Sequence, residues 1–227
     1  MLTSSAFKFS DYNIFEQTLS RSTVERERVI KSTHQPPSDF LSYGKNYFDG
    51  PSGLGYGGYR YDGRYEGVVQ KACNRYSLEK DAKILELGCA KGYVLFEFFK
   101  KNYSNIEGID ISNYAINNSP KAIRRCLKQG SLLDMKLPEK YYDFIFPKEV
   151  LPHLDIAALE RVIPKILRSA KVKQNILFIV QVAETPLEKE KILSWDPTHK
   201  TVKSSHWWQE FFSNFGFIGD LVCKKLF

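Results

Sequence analysis

Short apolar runs alternate with longer mixed stretches from Gly67 to the end of the chain. Short apolar runs are typical of buried strands and the mixed stretches of helices, so the alternation predicts a parallel α/β sheet. The predicted strands cover residues 83–87, 106–111, about 125–130, 142–147, 175–182 and 217–227. The predicted helices cover residues 66–75, 92 to about 101, a short stretch from 112, 157–169, and 204 or 205 to 215.

The N-terminal part of the chain has a different composition. Residues 1–40 are polar and mixed in charge, and residues 22–31 favour a short helix before a proline pair. Residues 41–66, here called the Tyr/Gly segment, contain six tyrosines and seven glycines without a helical or strand period. This composition fits an exposed loop or a lid that folds over a site, and we favour the lid. The sequence thus divides into an extension with a lid, residues 1–66, and a core, residues 67–227.

The overall composition agrees with one soluble domain. Of the 227 residues, 43% are apolar, and no apolar run approaches the roughly 20 residues that a membrane span needs. The N-terminus lacks the pattern of a secretory signal. The cysteines are sparse and far apart, which argues against disulfides and zinc sites and favours the reducing cytoplasm. They are Cys73, Cys89, Cys126 and Cys223.

The formal net charge of +7 permits an anionic partner such as a nucleotide, a phosphorylated metabolite or nucleic acid. The basic residues are spread along the chain, which disfavours nucleic acid without excluding it. We predict no membrane association and no metal ion. Nothing in the sequence indicates an oligomeric state.

Residues 84–92 carry the strongest chemical signal. An apolar strand runs into Glu86-Leu-Gly88-Cys-Ala90-Lys-Gly92. Small residues at alternate positions let a ligand approach the backbone, and the helix that follows presents free N–H groups. A dinucleotide site usually has Gly-x-Gly-x-x-Gly at this point. The acid in this turn suits a ligand that carries an ammonium and a sulfonium better than it suits a pyrophosphate.

A second acid, Asp110, ends the second predicted strand. It can accept bonds from two ribose hydroxyls, as acids do in adenosine sites on doubly wound sheets. Ile111 is then expected to lie against the adenine. The third strand ends near Ser131 and Leu132, so the Ser131 side chain or the Leu132 backbone N–H is the predicted contact at the adenine edge.

These motifs, with residues 142–153, resemble the class I, Rossmann-like S-adenosylmethionine-dependent methyltransferases over roughly residues 83–217. The resemblance implies a doubly wound, mostly parallel sheet with S-adenosylmethionine as the cofactor. It also implies that the methionine end is lined by Glu86, Gly88, Ala90 and Gly92 and that the ribose is bound by Asp110. The chain departs from the family pattern at Ala90, where the family often has Gly, and at Ser131, where it often has Asp. Lys148, after the fourth strand, is a further predicted cofactor contact.

The sequence after the fourth strand bears on the methyl acceptor. Phe146-Pro-Lys-Glu149 lacks the Asn/Asp-Pro-Pro-aromatic run of base-modifying amino-methyltransferases. The next residues, 151–154, resemble the Leu-x-His stretch of small-molecule methyltransferases. An alcohol acceptor needs a proton removed, and histidine is suited to that near neutral pH. His153 and His199 are the predicted catalytic residues, the latter oriented by Asp196. Both histidines can instead be structural, His153 as a helix-capping residue and His199 as a loop residue. An acceptor oxygen that is already anionic needs no base.

The Tyr/Gly segment supplies the predicted acceptor contacts, because arginines grip carboxylates and phosphates with paired bonds. They are Tyr56, Tyr59, Arg60, Tyr61 and Arg64. The segment also resembles, more loosely, methyltransferases of bacterial surface-polysaccharide and phosphorus-modified sugar pathways. We therefore predict O-methylation of a small anionic sugar, a nucleotide-linked or a phosphorus-containing metabolite. The alternatives are an RNA or protein methyltransferase and a cofactor-binding module without turnover, and a dinucleotide oxidoreductase is the weakest.

Overall fold

A computed structural model describes residues 10–16, 18, 22–32, 36–51, 53–56 and 58–227. The first nine residues of the predicted extension, and Ser52 and Gly57 of the Tyr/Gly segment, lie outside the described residues. No helix among the described residues is long and apolar enough to cross a membrane.

Helices and strands alternate from α3 onward, as the apolar pattern predicts. The helices are α1 (Thr23–Ser32), α2 (Lys45–Asp49), α3 (Glu66–Tyr76), α4 (Tyr93–Lys100), α5 (Asn113–Asn117), α6 (Ile156–Ser169), α7 (Pro186–Trp195) and α8 (Ser205–Asn214). The strands are β1 (Ile84–Leu87), β2 (Ile106–Asp110), β3 (Leu127–Gln129), β4 (Phe144–Pro147), β5 (Leu177–Val182) and β6 (Asp220–Lys225). Short 3₁₀ turns occupy Arg124–Cys126 and Leu151–His153.

The sheet is parallel throughout its described ladders. Strands β3, β2, β1 and β4 pair in that order, and β5 pairs with β6. Parallel bridges from Ile145 to Ile176 and from Lys148 to Ile179 join β4 to the segment that contains β5. This topology confirms the predicted α/β fold with a mostly parallel sheet.

Helices cover both faces of the sheet, because alternate strand residues enter two separate apolar clusters. Ile84 packs on the face of α3 and α4, whereas its neighbour Leu85 packs on the opposite face with α6 and α8. In β4, Phe144 and Phe146 share the first cluster and Ile145 the second. All five side chains are fully buried, as expected for strands covered on both sides.

The register of the strands lines up their carboxyl ends. Leu87 of β1 is level with Ile109 of β2 and Pro147 of β4. The residues that follow these three are Gly88, Asp110 and Lys148, so the predicted cofactor residues meet at one edge of the sheet. In doubly wound folds, ligands bind outside this edge.

Several elements differ from the sequence prediction. Helix α7 was not predicted, although Thr185 and Glu188 form a capping box and Pro186 occupies its first turn. Helix α2 lies in the Tyr/Gly segment, where no period was found, because packing of Tyr47 and Phe48 outweighs local propensity. Strands β3 and β6 are shorter than predicted, and the 3₁₀ turn Arg124–Cys126 takes the place of residues 125 and 126 at the start of the predicted β3. The four cysteines are free thiols.

Candidate active site

The turn after β1 depends on glycine. Gly88 and Gly92 both have φ of +69° and lie in the left-handed region. A Cβ on Gly88 would lie 2.4 Å from Val150 Cβ, and one on Gly92 would lie 2.9 Å from Leu127 Cδ1. Ala90 also has a positive φ, of 50°, which is unfavourable for a residue with a side chain. The turn is therefore held in a conformation that brings its backbone close to the edge of the sheet.

Glu86, just before the turn, is a buried acid with an unsatisfied atom. Its Oε2 has no hydrogen-bond partner among the described residues, and the side chain is almost completely enclosed. Burial raises the pKa of Glu86 well above its usual range, and Asp110 raises it further, while Lys148 acts in the opposite direction. An orphaned buried carboxyl oxygen is costly unless a ligand supplies a donor. A cationic donor such as the methionine ammonium of S-adenosylmethionine fits this atom.

Asp110 is held by the glycine turn itself. Its carboxylate accepts hydrogen bonds from the backbone N–H groups of Ala90, at 2.7 Å, and Ser112, at 2.8 Å. Burial raises the pKa of Asp110, and the two backbone bonds oppose that rise. A carboxylate has about four acceptor positions, so two remain for the ribose hydroxyls that the sequence predicts here.

The predicted adenine contacts lie around Asp110. Ile111 is 54% exposed beside it. The Ser131 hydroxyl instead accepts a bond from the backbone N–H of Leu133 at 3.2 Å, and Leu132 is buried. Ile111 is therefore the most accessible of the three predicted contacts.

The Tyr/Gly segment packs directly on the glycine turn. The Nζ of Lys91 lies 2.7 Å from both carboxylate oxygens of Asp49 and donates to the Tyr59 carbonyl at 2.8 Å. The Tyr114 hydroxyl, on α5, donates to the same Asp49 carboxylate. Farther along, the Tyr61 hydroxyl donates to Glu97 on α4. These bonds attach the segment to the helices that follow β1 and β2.

Beside the turn, a cavity of about 530 Å³ opens at the carboxyl ends of β4, β5 and β6. The glycine turn and Asp110 do not line it. Its described lining comes from the N-terminal extension (Asn13, Phe15, Glu16, Thr18, Glu25 and Arg26), from the Tyr/Gly segment, and from the sheet edge with its neighbouring loops. The last two parts include Tyr56, Tyr59, Lys148, Glu149, His153, Gln181, Asp196 and Lys224.

Two lysines converge on one carboxylate in this cavity. Glu149 Oε1 lies 3.0 Å from Nζ of both Lys148 and Lys224, and Gln181 Nε2 donates to Glu149 Oε2 at 2.9 Å. Burial alone would raise the pKa of Glu149, but the two lysines hold it far below its usual range. Burial would likewise lower the pKa of Lys148, yet Glu149, Tyr65 and Tyr56 keep it raised. The cluster is therefore ionised, with two cations against one anion.

The predicted catalytic histidines lie side by side, and of the two His153 lines the cavity. Their ring centroids are 4.3 Å apart. His153 Nδ1 is 2.9 Å from the Thr198 hydroxyl. His199 Nδ1 faces the Asp196 carbonyl at 3.0 Å, and its Nε2 faces Gln181 Oε1.

The bond from Gln181 Nε2 to Glu149 fixes the orientation of the Gln181 amide, so its oxygen faces His199. Both ring nitrogens of His199 therefore point at oxygens that can only accept hydrogen bonds.

A family model described as a methyltransferase domain matches residues 61–218. The chain belongs to this methyltransferase family. Its cofactor is S-adenosylmethionine. The predicted methyltransferase family, the Rossmann-like fold and the cofactor are confirmed. A search of the curated proteins gives no match.

Solved structures show the same fold. The YcgJ protein of Bacillus subtilis is 17% identical with a TM-score of 0.54, covering 67% of this chain and 68% of that one. An S-adenosylmethionine-dependent methyltransferase of Archaeoglobus fulgidus is 19% identical with a TM-score of 0.53, covering 66% and 68%. At these identities, the likeness concerns the fold of the methyltransferase and not its acceptor.

The structure distributes the predicted acceptor contacts over three places. Tyr56, Tyr59 and Arg64 line the cavity, although the Arg64 guanidinium also pairs with Asp62 at 2.5 Å. Tyr61 instead contacts Glu97 and Lys100 on α4. Arg60 is exposed and does not line the cavity.

Sequence reasoning missed several residues of this methyltransferase site. Three of them are far apart in sequence. Thr198 lies in a loop, and Gln181 and Lys224 lie on β5 and β6, which pair only in the folded chain. Lys91 stands in the recognised turn motif, but its bond to Asp49 depends on contact with a segment about 40 residues away. No local periodicity marks any of these four positions.

Proposed function

We propose that this methyltransferase transfers the methyl group of S-adenosylmethionine to an oxygen of a small anionic metabolite held in the cavity. The observation that carries the proposal is the ionised cluster at the carboxyl ends of β4 and β6. Within this cluster Lys148 and Lys224 outweigh Glu149, which leaves a local positive charge, while the other charged lining residues, Arg26, Arg64, Glu16, Glu25 and Asp196, carry one more acid than base. Such a site attracts a carboxylate, a phosphate or a nucleotide-linked sugar.

The size of the cavity supports a small acceptor. Its volume of about 530 Å³ falls within the roughly 300–1,000 Å³ of pockets that enclose small ligands. The rings of Tyr56, which is partly buried, and Tyr59, which is buried, form one wall, and tyrosines of this kind suit the apolar face of a sugar or base. We therefore favour a small metabolite over RNA or a protein side chain, and over a module that only binds the cofactor.

Different residues of the chain bind the cofactor, orient the acceptor and accept its proton. Glu86 and Asp110 hold the cofactor's methionine and ribose ends, and the glycine turn allows close approach to the backbone. Bound S-adenosylmethionine supplies the electrophilic methyl group. Lys148 and Lys224 orient the acceptor, which raises its effective concentration beside that methyl. We assign the base role to His153 alone, because both nitrogens of His199 already face protein acceptors.

The Tyr/Gly segment acts as the lid of this site in our proposal. It is fastened to the turn by Lys91 and Asp49, and its tyrosines exclude water from the cavity. Residues 1–66 thus form the extension and lid, and residues 67–227 form the core. We place the enzyme in the cytoplasm, where nucleotide-linked and phosphorylated metabolites are available.

The test is a transfer assay with S-adenosylmethionine labelled in its methyl group. Candidate acceptors are sugar phosphates, nucleotide sugars, hydroxy acids, neutral sugars, RNA and an unrelated protein. We expect label on an anionic small molecule and little on its neutral counterpart. Label on RNA or protein, or tight cofactor binding without transfer to any acceptor, would contradict the proposal.

A matched pair of variants locates the acceptor site. Lys224→Met removes a cation that lines the cavity, whereas Lys225→Met removes its exposed neighbour on the same strand. Lys224→Met is expected to raise the acceptor KM by about tenfold or more, since hydrogen bonds to charged groups contribute about 1.5–3 kcal/mol. Lys225→Met should leave KM unchanged, and equal effects from both variants would place the acceptor elsewhere.

A further inference from the structure

The Thr198 hydroxyl lies at the centre of a small polar network outside the predicted motifs. It is 2.5 Å from Asp196 Oδ1 and 2.9 Å from His153 Nδ1. A threonine hydroxyl has a single proton to donate. Only one of these two partners can therefore receive it.

The receiver of that proton is Asp196. Burial would raise the pKa of Asp196, but hydrogen bonds from Thr198 and Tyr47 help to hold it below its usual range, so the group is an anion. An ionised carboxylate can only accept hydrogen bonds. Thr198 must then donate to Asp196 and accept from His153.

This direction fixes the tautomer of His153. Because the Thr198 proton is committed to Asp196, the Nδ1 of His153 has to carry its own proton and donate it to Thr198 Oγ1. In a neutral imidazole the lone pair is then on Nε2. His153 lines the cavity, so this residue brings a proton acceptor to the proposed acceptor site.

Further contacts hold Asp196 in place. The Tyr47 hydroxyl donates to Oδ2 at 2.8 Å, and the Thr198 backbone N–H donates to Oδ1 at 3.0 Å. Burial raises the pKa of Tyr47 well above its usual range, so Tyr47 stays a donor. These hydrogen bonds form a chain, here called the relay, that runs from Tyr47 of the Tyr/Gly segment through Asp196 and Thr198 to His153 at the cavity.

A metal ion is the competing interpretation, since ligand atoms of His153, Asp196 and His199 lie within 4.8 Å of one another. Each of these side chains already has protein partners: Thr198 for His153, Thr198 and Tyr47 for Asp196, and Gln181 for His199. A metal ion would have to displace these bonds, whereas the hydrogen-bond chain from Tyr47 to His153 keeps those of Asp196, Thr198 and His153.

We propose that Thr198 and Asp196 are positioning residues that hold His153 as its Nδ1–H tautomer, so that Nε2 accepts the proton of a hydroxyl acceptor. This inference rests on the proposed function and narrows its substrate class to anionic metabolites that are methylated on a neutral hydroxyl. As the hydroxyl oxygen bonds to the methyl carbon, the carbon–sulfur bond breaks and its electron pair stays on sulfur. The hydroxyl proton moves to Nε2, and the Asp196 carboxylate stabilises the resulting imidazolium through Thr198.

The buried surroundings of His153 keep its imidazole neutral. Burial and the nearby His199 lower the pKa of His153 to about 4, while Asp196 and Glu149 act in the opposite direction. Tyr43 packs edge-on against the ring, and its own pKa is raised to about 12, so it stays neutral. His153 is therefore uncharged near pH 7 before the acceptor binds.

The first test reads the tautomer directly, by long-range proton–nitrogen NMR of the imidazoles in the full chain. We expect a protonated Nδ1 and an unprotonated Nε2 at His153. Thr198→Val should lose this preference. Thr198→Ser should keep it, and so should Thr201→Val, a buried threonine in the same loop that donates to the Leu154 carbonyl. An Nε2–H tautomer in the wild type, an unchanged tautomer in Thr198→Val, or stoichiometric Zn²⁺ binding at both histidines would overturn the proposal.

The second test uses the acceptor that the labelled-methyl assay identifies. We expect Thr198→Val to lower kcat by about 10²–10⁴-fold, the usual size of general acid–base catalysis, with little change in KM. Thr198→Ser should restore most of the rate. Methylation of a carboxylate or phosphate oxygen, with kcat insensitive to Thr198→Val, would overturn the relay. Absence of any transfer would contradict the proposed function and leave the tautomer result intact, so the two failures are distinguishable.

Discussion

Lys91 and Asp49 form an ion pair of 2.7 Å that joins the glycine turn to the Tyr/Gly segment. The lysine is nearly buried, and its Nζ also reaches the Tyr59 carbonyl. A residue of the cofactor turn therefore holds the segment that walls the cavity. Cofactor binding and closure of the acceptor site are expected to be coupled through this bond.

The first prediction concerns that coupling. Lys91→Met should speed hydrogen exchange in residues 45–61 about tenfold, which corresponds to about 1.4 kcal/mol of lost local stability. Asp49 is partly exposed and can be solvated once the lysine is gone, so the fold should survive. Lys80→Met, which removes a bond to the Lys101 carbonyl at the end of α4 remote from the turn, is the control. The same exchange rate in both variants would rule out the fastening role.

The second prediction concerns Glu86. Glu86→Gln keeps the shape of the side chain but removes the charge that a cationic ligand needs. We expect cofactor affinity to fall by about 1–3 kcal/mol, measured by calorimetry, while the melting temperature of the free protein stays the same or rises. Glu107→Gln, on β2 and paired with Lys128, is the matched control and should change neither quantity. A cofactor affinity unaffected by Glu86→Gln would remove this residue from the site.

The third prediction concerns Asp110. Asp110→Ala removes the acceptor for the backbone N–H groups of Ala90 and Ser112. Cofactor binding should weaken by about 1–3 kcal/mol, and the turn should lose stability as well because two buried donors become unpaired. Calorimetry on protein whose fold is verified by circular dichroism measures the first effect. Unchanged affinity would argue against a ribose contact.

The fourth prediction is that the free energy of unfolding depends on pH through the protonation of His153. Its pKa is lowered from an ordinary value of 6.5 to about 4 in the folded chain. Between these values the unfolded chain binds a proton that the folded chain does not, so stability falls as pH falls from about 6.5 to about 4. The loss should be about 1–3 kcal/mol, and His153→Gln should abolish it.

Urea unfolding at several pH values measures this dependence. The control is His206→Gln, which changes an exposed histidine on α8 and should keep the wild-type profile. If the His153→Gln and wild-type profiles coincide, His153 is not held neutral by its surroundings.

The parts of the fold that were predicted correctly are local in sequence. The strand, turn and helix from Ile84 to Lys100 are predictable, because apolar strand residues, small turn residues and the helix follow one another directly. Asp110 was found for the same reason, since it ends a recognisable strand. The α7 helix could have been found from its capping box at Thr185 and Glu188.

The contacts around the proposed acceptor site could not be predicted from the sequence, because they join distant parts of the chain. Tyr47 and Asp196 are 149 residues apart, and His153 and Thr198 are 45 apart. His153 was predicted from residue chemistry and from its resemblance to the Leu-x-His stretch, His199 from residue chemistry, and only the folded chain distinguishes them. A threonine hydroxyl carries no sequence signal, although it sets which nitrogen of His153 holds the proton.

We propose that the cofactor occupies the turn between Glu86 and Asp110, beneath the Tyr/Gly segment. Hydrogen–deuterium exchange of the full chain, with and without saturating S-adenosylhomocysteine, measures this directly. We expect protection concentrated in residues 86–92 and 110–112, with accompanying protection of residues 45–65. Protection confined to other parts of the chain, or no protection at a saturating concentration, would contradict it.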